Sequence, residues 1–593
     1  MCGIAGEIRF DQASANVHAV FDMASAQSGR GPDGEGLYAS GRRAFGHRRL
    51  RIMDLSERAH QPFVDNVLGL GIVFNGAVYN HHELREELSA KGYVFSSTGD
   101  TEVILKAWHA WGPAALDRLM GMFAFALWER DSGITHLVRD RLGIKPLYYS
   151  LDARRLRFAS TLPALLVGGD IDKTLDPVAL HFYMSLHAVV PAPHTMLKGV
   201  RKLPPASHMT VHPDGRTETR TWWQLTFPHD AADEARSFEE WRDMTLASLR
   251  DAVRLRTVAD VPVGVLLSGG VDSSLITGLL AETGTPNLRT YAIGFEAAGG
   301  EAGDEFHYSD LVARHFGTQH EKMMIPAGDL LASLPAAIDA MSEPMVSHDC
   351  VAFYLLSAAV ARHSRVVQSG QGADEVFGGY HWYPALAENR DADGGVAAYR
   401  SVFFDRSHSE MAELLAPQWL ADDPAGRFVA EHFAMPGADN AIDRALRLDT
   451  TVMLVDDPVK RVDNMTMAHA LEARVPFLDH RLVELAARMP ARHKIAQGGK
   501  HVLKEAARQV IPAEVIDRPK GYFPVPALKY LRGPFLDYVR GWIDSDAARQ
   551  RGLYRPGVVD TMLKDPDAHI TPLKGSKVWQ IALLEAWLQA RGI

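Results

Sequence analysis

Short runs in which apolar residues alternate with small or polar ones, each closed by a turn signal, fill the first third of the chain: IAGEIRF, RAFGHRRLRIM, LGIVFNG, FAFALWE, THLVRD, PLYYS and LRFAS. Runs of this length and period read as strands. Only two stretches, around 80–91 and 101–119, carry helical spacing, so residues 1–212 are expected to form a layered α+β domain. The polar stretch HPDGRTETRTWWQLTFPHDAADEAR then reads as a linker over 213–236. Beyond it, longer helical patterns alternate with short apolar strands, VPVGVLL, RTYAIGF and SRVVQSG. Strand-then-helix repetition predicts a second, α/β domain over 237–593, built on a parallel sheet. Residues 385–455 within it read as irregular helix.

Composition narrows the classes. A chain of 593 residues exceeds what one core supports, which agrees with two domains. A net charge of −10 argues against a nucleic-acid partner and against an anionic membrane surface. Cys2 and Cys350 are the only cysteines, too few for a disulfide framework or a multi-cysteine metal centre. No run approaches the roughly 18 apolar residues of a membrane span, and no secretory signal opens the chain. The expected location is the cytoplasm. The 26 histidines show no HExxH spacing, so they are expected to be surface or core residues.

One of the two cysteines stands at position 2, in MCGIAGEIRF. If Met1 is removed, Cys2 carries a thiol and a free α-amine together. An amine with a pKa of roughly 7.7–8.0 can serve as the general base for its own nucleophile. Four further segments, RGPDGEG (30–36), GHRRL (46–50), FNGAVYN (74–80) and STGDTEV (97–103), resemble in order and spacing the class II glutamine amidotransferase domain, an N-terminal-nucleophile glutaminase of layered αββα fold. The resemblance implies that Arg49 grips the α-carboxylate of glutamine and Asp100 its α-ammonium. It implies that Asn75 and the N–H of Gly76 stabilise the oxyanion, and that Leu50, Arg51, Ile52, Met53 and Ala77 complete the glutamine pocket.

In the second domain, VPVGVLLSGGVDSS (261–274) runs from a strand through a glycine pair into a helix start, an arrangement suited to anion binding. It lacks the ending of a Walker A loop. SGGVDSS resembles the pyrophosphate loop of ATP pyrophosphatases. SGQGADEVFGGY (369–380), MAHALEARVPFLDHRLVE (467–484) and RPKGYFPVP (518–526) resemble the asparagine-synthetase-like synthetase domain. By that resemblance Leu266, Ile293, Ser369 and Gly370 line the nucleotide, and Ser268, Gly269, Gly270, Asp272 and Ser273 surround its pyrophosphate end. Asp272 and Asp374 are suited to Mg²⁺, and Lys520 would neutralise charge developing during adenylation.

The implied chemistry is glutamine hydrolysis at Cys2, ATP-dependent adenylation of a carboxylate in the second domain, and displacement of AMP by ammonia. Ammonia loses its nucleophilicity when protonated in water, a reason to join the sites by an enclosed passage. The implied partners are glutamine, ATP and a carboxylate acceptor, with a homodimer compatible with the family. An inert glutamine-sensing scaffold would be expected to lack Cys2, Asp272, Asp374 or Lys520, and all four are present.

One position departs from the family pattern. Gln371 stands where a glutamate is usual, and an amide takes up no proton near neutrality. EPMVSHD (343–349) and DRPKGYFPVPALKYLRGPF (517–535) resemble a branch that amidates N-acetylglutaminylglutamine to make an osmoprotectant; the alternative acceptor is aspartate. By family position, Glu343, His348 and Asp349 are the candidates to replace the missing base.

Overall fold

The computed structural model describes residues 2–296, 303–387, 394–518, 528 and 530–593. Lys520 lies outside them. The seven strand-like runs of the N-terminal region form strands of two six-stranded antiparallel sheets. In the first sheet, Gly3–Arg9 is flanked by Arg43–Arg49 on one side and Arg155–Ala159 on the other, so Cys2 sits at the mouth of a strand held from both edges. In the second, Leu70–Val78 pairs along its whole length with Gly121–Glu129. The two sheets share a dry layer of Ile4, Ile8, Phe45, Val73, Ala124, Trp128 and Phe158, in which Phe45 stacks on Trp128 with centroids 4.2 Å apart. Helices Val17–Ser25 and Leu162–Val167 cover the first sheet, while Asp100–Trp111, with His81–Ala90 against it, covers the second. The order is αββα.

The expected linker is shorter than its polarity suggests. Thr217–Thr221 pairs with Ser207–Val211 as the edge strand of the second sheet. Its sequence TETRT is exposed or half-buried throughout, so no apolar face marks it as a strand.

The C-terminal unit holds a five-stranded parallel sheet in the order Gln319–Ile325, Arg289–Phe295, Val263–Leu266, Val366–Gln368, Glu472–Arg474. The three apolar runs of the sequence are its centre. The chain leaves Val263–Leu266 toward one edge and returns beside it as Val366–Gln368, which creates a switch point at their carboxyl ends, where open α/β sheets bind ligands.

Buried ion pairs lock the two units together. Asp463, from helix Lys460–Met467, meets Arg30 at 2.8 Å and Lys145 at 3.0 Å. Burial works to raise its pKa, but the two cations outweigh it and hold the carboxyl at about 2. Arg30 also donates to the carbonyl of Cys2 at 3.2 Å, so the clasp between the units touches the N-terminal residue itself. A second clasp joins Lys202 to Asp456 at 2.6 Å and to Glu343 at 2.9 Å.

Candidate functional sites

Cys2, Arg49, Leu50, Ile52, Met53, Gly76, Ala77 and Asp100 line one small pocket of about 30 Å³. Four elements bring them together. Cys2 precedes the central strand of the first sheet, Arg49 ends its neighbour, Gly76 and Ala77 lie on the facing sheet, and Asp100 opens a helix. At Gly76 a Cβ would stand 2.2 Å from the carbonyl oxygen of Met122, so the strand pairing there admits only glycine.

Asn75 does not line this pocket, but its amide reaches the start of the chain. Its Oδ1 accepts from the Cys2 nitrogen at 3.1 Å, while its Nδ2 is buried with no hydrogen-bond partner among the described residues. A buried, unsatisfied donor is costly unless an oxygen arrives to use it. Burial raises the Cys2 thiol above its ordinary pKa, so it rests neutral and needs a base.

The Arg49 guanidinium donates to the backbone carbonyls of Ser56, at 2.8 Å, and Asp54, and among the described residues it meets no carboxylate. Its charge remains for a ligand. Asp100 accepts from the Val78 N–H at 2.9 Å, and burial pushes its carboxyl up to about 6. Arg51 departs from the expected pocket: its side chain turns outward to Glu57 and the Leu55 carbonyl. One wall was not expected at all. Glu472, on the edge strand of the C-terminal sheet, closes the pocket from the other unit.

The second site is a cleft of about 290 Å³ at the switch point of the parallel sheet. Leu266, Ser268, Gly270, Asp272, Ser273, Ile293, Ser369, Gly370, Gln371 and Asp374 all line it. Gly269 does not; at φ +81° it packs against Tyr308 and Ser309 and turns the loop. Gly370 lies so close to the loop that a Cβ would stand 2.9 Å from that of Asp272. Asp272 belongs to the first turn of helix Val271–Glu282, whose amide dipoles favour an anion at that end.

Lys500, which the sequence reading passed over, reaches between the carboxylates at 2.6 Å from Asp272 and 2.9 Å from Asp374. Burial alone would depress its pKa; the two carboxylates raise it, and it stays charged. Arg518 also lines the cleft, paired with Glu305 at 3.0 Å. The two carboxylates beside an anion cradle are hard oxygen donors of the type that holds Mg²⁺ with phosphate oxygens, and Lys500 offsets one of their charges.

Of the three groups proposed to replace the base, only Asp349 lines the cleft. Glu343 is sequestered in the clasp between the units, with Lys202 and the Tyr148 hydroxyl, and His348 packs toward Trp579. In EPMVSHD the chain enters a helix at Asp349; Glu343 to Val346 before it are buried, and the half-buried Ser347 and His348 do not line the cleft. Glu375, also in the cleft, accepts from the Tyr380 hydroxyl at 2.6 Å, and burial with the neighbouring Asp374 charge pushes it up to about 7.

A pocket built on an N-terminal cysteine, joined by buried ion pairs to a parallel-sheet cleft with an anion loop, defines a two-site enzyme, and comparison with known proteins agrees. Residues 245–589 match the asparagine synthase family, and residues 1–223 match the glutamine amidotransferase domain. The chain belongs to the asparagine synthase family and is an ATP-using, glutamine-dependent carbon–nitrogen ligase. It is similar to asparagine synthetase [glutamine-hydrolyzing] 1 of Bacillus subtilis, 29% identical over 99% of this chain and 96% of that one. A putative asparagine synthetase of Mycobacterium bovis is 33% identical over 92% and 89% of the two chains. Amidase chyE of Penicillium rubens is 27% identical over 90% of each.

Proposed function

We propose that the enzyme hydrolyses glutamine at Cys2 and uses the ammonia to amidate a carboxylate that ATP has adenylated in the cleft. Once Met1 is removed, the Cys2 nitrogen is an amine steered by Asn75 Oδ1. It takes the thiol proton as Sγ attacks the glutamine side-chain amide, and Asn75 Nδ2 with the Gly76 N–H receives the oxyanion. Ammonia leaves and water hydrolyses the thioester to glutamate. In the cleft the acceptor carboxylate attacks the α-phosphate of ATP, releasing pyrophosphate toward Ser268, Gly270, Ser273 and Lys500. Ammonia then attacks the acyl carbon and AMP departs. A magnesium ion at Asp272 and Asp374 would supply counter-charge to pyrophosphate. Ser369 donates its N–H to the Arg474 carbonyl at 2.8 Å, so the strand that carries Glu472 to the first pocket is bonded to the loop lining the second.

The arrangement makes glutamine binding sensitive to pH. Only an ionised Asp100 pairs with the α-ammonium, and its carboxyl is raised to about 6, so ionisation is lost as pH falls through that value. KM for glutamine should be nearly flat from pH 7 to 8 and rise about tenfold per unit below 6. Glutaminase kinetics on the parent and on Asp100→Asn check this: the variant should have a high KM without that slope, and a parent KM flat down to pH 5 would refute the pairing.

For the acceptor we propose N-acetylglutaminylglutamine, carried by Gln371. This neutral amide lines the cleft between Gly370 and Gly372 where the family has a carboxylate, which leaves Asp349 and Glu375 as the described carboxylates of the cleft able to take a proton besides the metal-facing pair and Glu305, which Arg518 holds. Aspartate is the second reading, favoured by the names of the relatives. Mass spectrometry of the products from ATP, Mg²⁺, glutamine and either acceptor separates them. Amidated N-acetylglutaminylglutamine is the expected product, with aspartate unused by the parent and used by Gln371→Glu. Asparagine from the parent, with the dipeptide ignored, would replace this reading by the second.

A further inference from the structure

A third group of chemically capable side chains lies where helix Pro177–Ser185 of the N-terminal unit meets the helical part of the C-terminal one. His181, His408 and Asp423 offer one nitrogen or oxygen atom each, all within 4.8 Å of one another. None of the three lines the Cys2 pocket or the nucleotide cleft. His181 is fully buried.

The spacing of the two rings is informative. His181 Nε2 and His408 Nδ1 are 3.2 Å apart. Two nitrogens bound to one tetrahedral ion at about 2.0–2.1 Å would stand about 3.3 Å apart. The far nitrogen of His181 lies 3.4 Å from the Ser185 hydroxyl, the kind of outer partner that fixes the tautomer of a metal-binding histidine. Asp423 accepts from the Gly426 N–H at 3.0 Å through Oδ1 and from Arg400 at 3.1 Å through Oδ2, which orients the carboxylate while using only part of its acceptor capacity.

We propose that His181, His408 and Asp423 form a binding site for a divalent transition-metal ion, with Zn²⁺ the best match to two imidazoles and a carboxylate, that clips the two units together. The Mg²⁺ of the nucleotide cleft would not compete, since it prefers oxygen donors. The helix is already docked across the boundary, with the Tyr183 hydroxyl on the Gln580 carbonyl at 2.8 Å and the Gln580 amide on the Tyr183 carbonyl at 2.9 Å. A bound ion would add a third tie one helical turn from Ser185.

The test uses the full chain, stripped with a chelator and titrated with Co²⁺ or Zn²⁺ in excess Mg²⁺. The parent should take up one tight equivalent, with the visible absorption of low-coordinate Co²⁺, and Zn²⁺ should raise its first unfolding transition by at least about 2 °C. His408→Gln and Asp423→Asn, chosen because the positions are only partly buried and asparagine keeps the Oδ1 acceptor, should each weaken uptake at least tenfold and lose the thermal shift. Ammonia-dependent synthesis at saturating substrates should be unchanged in both variants. If the parent binds no tight equivalent, or if His408→Gln binds as tightly as the parent, the two rings are joined only by a hydrogen bond and the proposal fails.

Discussion

Replacing Cys2 with alanine should cut amide synthesis from glutamine by at least about 10⁴-fold, the scale of removing an enzyme's nucleophile, while synthesis from ammonium salts stays within about twofold of the parent. The asymmetry follows from where the sulfur sits. Its pocket is closed by residues of the N-terminal unit plus Glu472, and nothing lining the parallel-sheet cleft also lines that pocket. The substitution also leaves the surroundings in place, because the contacts that hold residue 2 run through its backbone, from its nitrogen to Asn75 and from Arg30 to its carbonyl. Measuring product with each nitrogen donor in turn reads both effects. Equal loss of the two activities would mean that position 2 acts on the fold rather than on the chemistry.

Asp272→Asn should have the complementary effect. Formation of AMP and pyrophosphate should fall by about 10²–10³-fold, the usual loss when one preorganised charge at a reacting centre is removed, and glutamine hydrolysis should persist. The carboxylate stands in the first turn of its helix, 2.6 Å from Lys500, and the amide would keep its shape while giving up the charge that opposes the lysine and suits a cation. Half of the Lys500 counter-charge remains in Asp374, so the lysine should stay in place. Labelled ATP distinguishes the outcomes: loss of hydrolysis along with adenylation would contradict two separable sites, and ADP in place of AMP from the parent would contradict adenylation.

Much of this layout was legible from the chain because its signals are local. Central strands such as LGIVFNG and VPVGVLL are apolar and periodic, since they are covered on one or both faces. Cys2, Asn75, Asp100, Asp272 and Asp374 sit in short motifs with fixed spacing. What the sequence left out lies at edges and across distance. TETRT and EAR are edge strands, one polar on both faces and the other only three residues long. Helix Leu162–Val167 is too short for a helical period to show.

Among the site residues, Lys500 stands alone in QGGKH, and it becomes notable only because a residue in the left-handed region, φ +54°, aims it at two carboxylates more than one hundred positions earlier. Glu472 belongs to one domain and serves the pocket of the other, which no local pattern can show. Glu343 and Asp349 fall in the same heptapeptide with equal standing in sequence. Only the packing separates them, placing one in a buried clasp and the other in the cleft.

The central claim is that nitrogen released at Cys2 reaches the carboxylate activated in the cleft. It is tested most directly by supplying [amide-¹⁵N]glutamine together with unlabelled ammonium, at a concentration below that which supports synthesis alone, and weighing the amide product. The account predicts a product one mass unit heavier in nearly every molecule, formed in step with one AMP and one glutamate. A product carrying the isotope ratio of the bulk ammonia pool would show that the two sites do not communicate, and would contradict it.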